Sequence, residues 1–139
     1  MKSQLNFVDI KVGMSSEYVK CITNADVIGF SEITGDTNPV HLNDEFARST
    51  FFKKRIAHGM LAGSLFSTIF GSKFPGNGCI YLAQSLTFKK PIFLNDVVKA
   101  TVSVSSIDRD KRRLIFDTIC EVGETLVVSG NATIWVPED

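Results

Sequence analysis

The spacing of hydrophobic positions changes character once along the chain, near Gly78. Beyond it the period is two. Val98, Ala100, Val102 and Val104 alternate with Lys99, Thr101, Ser103 and Ser105, which predicts a half-buried strand over Val97–Asp108. Residues 80–89 predict a strand ended by Pro91, and Arg113–Val122 and residues 126–136 predict two more. Arg109-Asp110-Lys111 and Gly123-Glu124 supply the hairpin turns. Before Gly78 the pattern is helical, apart from a first strand over 17–22. Thr23 or Asn24 can cap a helix running to Gly35, with Val27, Ile28 and Phe30 facing inward. Residues 36–41 read as a turn, because Asn38 precedes Pro39 and is biased away from the helical region. Asn43 caps a short helix to about Ser49. Residues 58–70 form a helix that is apolar on most faces, hence buried. Helices first and antiparallel strands afterwards make an α+β fold, with the sheet curled around the apolar helix.

Length and charge narrow the function. One domain over residues 1–139 is expected from a chain of 139 residues. Fifteen Lys and Arg balance fifteen Asp and Glu, which gives neither the basic footprint of a nucleic-acid binder nor a polybasic membrane signal. The 17 uncharged residues 56–72 contain His58, three Gly and three Ser, and fall short of a bilayer span. Residues 1–9 have no apolar core of a signal peptide. Cys21, Cys79 and Cys120 show neither a disulfide framework nor zinc spacing, so free thiols in the cytoplasm are expected.

The densest polar punctuation is Gly35-Asp36-Thr37-Asn38-Pro39-Val40-His41. A turn there can bring the Asp36 carboxylate and the His41 imidazole to one water, as general acid–base chemistry requires. The same residues also suit an Asx-turn whose histidine caps the next helix. Gly59, between His58 and Met60 at the start of the apolar helix, offers N–H groups to an anion or an oxyanion, or else merely relieves crowding. Ser64, Ser67 and Thr68 lack a nucleophile elbow, so a polar ligand contact suits Ser67 better than a nucleophilic role. Asp36, His41 and His58 include three metal-ligand types but no metal-binding spacing, and no metal is expected. Phe51, Phe52, Phe66, Phe70, Phe74, Phe88 and Phe93 are read as core and tunnel wall. Lys53-Lys54-Arg55 and Lys89-Lys90 are solvated faces able to meet phosphate.

These residues carry a family resemblance. Phe30-Ser31-Glu32-Ile33-Thr34-Gly35-Asp36-Thr37-Asn38-Pro39-Val40-His41, followed after five residues by Ala47, resembles the hydratase-2 motif of MaoC-like proteins. His58-Gly59-Met60-Leu61 is similar to a second signature. Phe74-Pro75-Gly76, with Tyr81-Leu82-Ala83-Gln84-Ser85-Leu86 and Phe88, resembles a third. From about residue 12 to residue 136 the chain looks like a single-domain (R)-specific enoyl-CoA hydratase of the polyhydroxyalkanoate-precursor type. The resemblance implies a hot-dog fold, a homodimer, and reversible syn hydration of trans-2-enoyl-CoA to (R)-3-hydroxyacyl-CoA. It assigns the water to Asp36 and His41, the thioester carbonyl to the Gly59 N–H, loop orientation to Asn38 and a supporting polar role to Ser67. It implies no cofactor, coenzyme A being part of the substrate. A hot-dog acyl-CoA thioesterase and a non-catalytic acyl-CoA-binding module are the rival readings. Leu65, Phe66, Ile69 and Val136 are the expected wall of the acyl tunnel.

Overall fold

The computed structural model describes residues 5–138. The reading of the N-terminus therefore lies partly outside the described residues. After a short 3-10 turn over Phe7–Asp9, which the sequence pattern does not predict, the chain runs through β1 (Ser15–Cys21), α1 (Asn24–Thr34), α2 (Pro39–Leu42), α3 (Asp44–Arg48) and α4 (Gly59–Ser72). Then follow β2 (Ile80–Gln84), β3 (Thr87–Phe88), β4 (Val97–Asp108), β5 (Arg113–Val122) and β6 (Thr125–Trp135).

The strands form one antiparallel sheet in the order β1-β4-β5-β6-β2, with β3 also on β6. On β4 the predicted face is the buried one: Val98, Ala100, Val102 and Val104 are at most 2% exposed. Leu114, Phe116 and Cys120 of β5 and Val128, Ala132 and Ile134 of β6 continue that surface. Helix α4 packs against β1, β4, β5 and β6. Four strands about 4.8 Å apart are wider than a helix about 10 Å across, so the sheet must curl to reach it. Bulges between Val104 and Ser106 and between Cys120 and Glu121 supply the local bends. Leu65, Phe66 and Ile69 of α4 are buried in this core, each contributing about 1.5–3 kcal/mol of apolar burial.

Three local expectations change. On α1, Val27 and Ser31 are the buried residues, whereas Ile28 is exposed and Phe30 only partly covered. The 36–41 turn ends in helix, because Pro39 sits in the first turn of α2 with its fixed φ, and Asn38 Oδ1 accepts from Val40 N at 3.1 Å. The strand expected over 80–89 is two pieces. Between them Ser85 turns to the backbone of β6, with Ser85 N on Asn131 O and Asn131 N on Ser85 Oγ at 2.8 and 2.9 Å.

Candidate active site

The helix that leads into the polar cluster has local signals at both ends. Thr23 and Asp26 exchange the two hydrogen bonds of a capping box at the start of α1. The Thr23 N–H holds the Asp26 carboxyl below its ordinary pKa. At its other end α1 stops on Gly35, left-handed at φ 80°. The next residue is Asp36, whose Oδ1 accepts from Asn38 N at 3.2 Å. Asn38 then caps α2, so the expectation that it orients the loop has a geometry behind it. His41 lies one turn further on, buried, while Asp36 stays exposed.

His41 Nδ1 lies 2.8 Å from the carbonyl of Ile56. A carbonyl only accepts, so Nδ1 carries a proton and donates it there, which leaves Nε2 for another partner. Arg55 fastens the backbone behind it, donating from Nε to His41 O and from its terminal nitrogen to Asn24 Oδ1, both at 2.7 Å. His58, 2% exposed, stacks on His41 with ring centroids 3.9 Å apart and planes 31° apart. Burial pushes the His58 pKa below 6.5 and a charge on His41 adds to this, while the Asp36 carbonyl and carboxylate act against it.

Asp36, His41 and His58 bring ligand-type atoms within 4.8 Å of one another. One water donating two hydrogen bonds of about 2.8 Å separates its acceptors by about 4.4 Å, so the cluster has the span of a single water. The cluster opens on a cavity of about 410 Å³. Its apolar wall includes Phe52, Ile56, Met60, Phe88, Ile92 and Val128, and exposed Lys89 and Lys90 stand at it. Gly59, the first residue of α4, also lines it; its N–H belongs to the first helical turn, which has no acceptor within the helix.

The chain belongs to the MaoC-like family. The profile of the MaoC like domain matches residues 8–127. Over 131 residues the chain is 44% identical to the (R)-specific enoyl-CoA hydratase of Rhodospirillum rubrum, covering 94% of this chain and 91% of that one. It is 40% identical to the 3-hydroxybutyryl-CoA dehydratase of Methylorubrum extorquens, covering 96% of this chain and 85% of the relative. The solved (R)-hydratase of Aeromonas caviae, involved in PHA biosynthesis, superposes with a TM-score of 0.90 at 40% identity, over 93% of this chain and 98% of that one. The curled sheet around α4 is thus the hot-dog fold.

Within this MaoC-like chain, Asp36, His41 and Gly59 meet at one cavity, with Asn38 behind them. Ser67 does not join them. It lines a neighbouring groove with Phe30, Gly63, Tyr81 and Leu86, and Met60 borders both spaces. The tunnel wall differs from expectation: Leu65, Phe66 and Ile69 are spent in the core, and Val136 lines a separate pocket beside Pro75 and Pro137. Of the phenylalanines, Phe66, Phe70 and Phe74 are core, Phe52 and Phe88 line the cavity, and Phe51 is 92% exposed. Sequence reasoning named His58 as a metal-ligand type but missed its contact with Ser31, whose Oγ lies 3.0 Å from His58 Nε2.

Proposed function

We propose that this protein is an (R)-specific enoyl-CoA hydratase, a hydro-lyase adding water reversibly to trans-2-enoyl-CoA to give (R)-3-hydroxyacyl-CoA. The observation that carries the reading is the single-water span of Asp36 and His41 at the cavity that Gly59 lines. The Asp36 carboxylate and His41 Nε2 hold one water. Its hydroxyl adds to the β-carbon and its proton passes to the α-carbon on the same face, which makes the addition syn. Asp36 and His41 exchange that proton as a coupled pair. Negative charge builds on the thioester oxygen, and the Gly59 N–H meets it there. Such a donor typically contributes about 10²–10³ in rate and a positioned acid–base group about 10²–10⁴. Asn38 keeps the loop in place. Ser67 supports the site from the groove beyond Met60. No step draws on a metal or prosthetic group, and Lys89 and Lys90 receive the phosphates of coenzyme A, which enters with the substrate.

The working unit is a homodimer. Strand β2 is a sheet edge with Ile80, Tyr81 and Leu82 all more than a third exposed, and the apolar groove beside it shares Met60 with the cavity. An unpaired apolar edge is a template for a second strand, here that of a second copy. The free thiols Cys21, Cys79 and Cys120 suit the reducing cytoplasm. No helix among the described residues is long and apolar enough to cross a membrane. The PHA role named for the Aeromonas caviae relative supports supply of polyester precursors as the pathway.

The test is loss of the conjugated-thioester absorbance of crotonyl-CoA, with the product offered to (R)-specific and (S)-specific dehydrogenases. Oxidation by the (R)-specific enzyme alone is expected. Release of free coenzyme A thiol without hydration would instead make the protein a thioesterase.

A further inference from the structure

We infer that His58 is a positioning residue, whose Nε2–H ties the main-chain carbonyl of Asp36 to the start of α4 and keeps the Asp36–His41 pair aligned with the Gly59 N–H. The inference rests on the hydratase reading and adds a residue to it.

His58 is the N-cap of α4, yet its side chain makes no capping bond to that helix. The ring turns the other way. Nε2 lies 3.2 Å from Asp36 O and 3.0 Å from Ser31 Oγ, and the ring meets Phe30 at 4.9 Å and His41 at 3.9 Å between centroids. One side chain thereby joins the end of α1, the loop after it and the entry to α4. Because a carbonyl only accepts, Nε2 carries the proton and donates it to Asp36 O. In the neutral ring, Nδ1 is then a bare acceptor. That atom is buried and has no hydrogen-bond partner among the described residues. Protonating it would add a buried N–H with nothing to receive it and a cation stacked on His41, so the ring stays neutral. The lowered pKa of His58, caused first by burial, agrees with this.

The consequence for catalysis is geometric. The carbonyl carbon of Asp36 is bonded to the Cα that bears its carboxylate, so fixing that peptide plane limits where the carboxylate reaches. The peptide after His58 carries the Gly59 N–H. The stacked ring also restricts rotation of His41. A misplacement of about 1 Å at a reacting group can cost about 10² in rate, which makes such a tether matter.

Three variants of the full chain separate this role from simple packing, with crotonyl-CoA as substrate. His58→Gln keeps an amide donor near the position of Nε2 and is expected to retain most of the wild-type kcat. His58→Phe keeps the stacked ring but leaves the Asp36 carbonyl without its donor, as does His58→Ala without the ring. Both are expected to lose about 10- to 100-fold in kcat with KM unchanged. Wild-type kcat in His58→Phe, or a folded His58→Gln as impaired as His58→Ala, would overturn the inference. Should His58→Phe not fold, the folded His58→Gln decides alone. A readout independent of turnover is the imidazole nitrogen spectrum of the wild-type protein. It should show His58 neutral with the proton on Nε2 at pH 7. An Nδ1–H tautomer or an imidazolium there overturns the tether whatever the activity, whereas a correct tautomer with no hydration overturns only the hydratase reading.

Discussion

A methyl group built on Gly59 would lie 2.6 Å from the ring of Phe88, so at this position even alanine displaces the cavity wall. Phe88 is half exposed, and its ring can move only by giving up its place against the site. Gly59→Ala is therefore expected to lower kcat by about 10², the scale of a reacting group misplaced by about 1 Å, with partial recovery in Gly59→Ala combined with Phe88→Ala. Steady-state kinetics check this, and wild-type turnover in the single variant would show that the place of the Phe88 ring against the site is dispensable. The turn carrying Asp36 and His41 was legible because Asn38 and Pro39 lie between them, whereas their pairing as a site came from the family resemblance. His58 was legible as a ligand-type side chain beside Gly59, but its tether to α1 was not. Its partners, Ser31 and the Asp36 carbonyl, lie 27 and 22 residues away, and no local pattern announces contacts made across that distance.

Among the elements, those whose reasons are local were readable. The Thr23 cap, the Gly35 stop, the Asn43 cap of α3 and the alternation of β4 each depend on residues a few positions apart. The division of 80–89 into β2 and β3 was not, because its cause is elsewhere in the chain. Gly130 on β6 admits the Ser85 carbonyl so closely that an ideal Cβ there would stand 1.8 Å from the oxygen. Backbone cannot yield as a side-chain tip can. Gly130→Ala is expected to cost about 1–3 kcal/mol or more, read as a lower Tm. An unchanged Tm would mean that the approach of Ser85 to Gly130 is dispensable. The misjudged faces of α1 have a similar origin: Ser31 takes a buried place that hydrophobicity alone gives to Ile28, because His58 is there to bond it.

For the whole molecule, the α+β class and the sheet around an apolar helix followed from the change of period near Gly78. The tunnel wall did not, because a nearly all-apolar helix does not reveal which of its residues the sheet will claim. Leu65, Phe66 and Ile69 go to the sheet, and the cavity is left to Phe52, Ile56, Ile92 and Val128. The β2 edge belongs to this scale too. Leu82→Asp is expected to convert a dimer into monomers by size-exclusion chromatography coupled to light scattering, and a wild-type monomer would contradict the assigned interface.

The hydration chemistry depends most directly on Asp36. Turnover and crotonyl-CoA affinity of Asp36→Asn should be measured together, since amide and carboxylate are nearly isosteric while only the carboxylate serves the water. A loss of about 10²–10⁴ in kcat with binding retained is expected. Turnover within a few fold of wild type would contradict it.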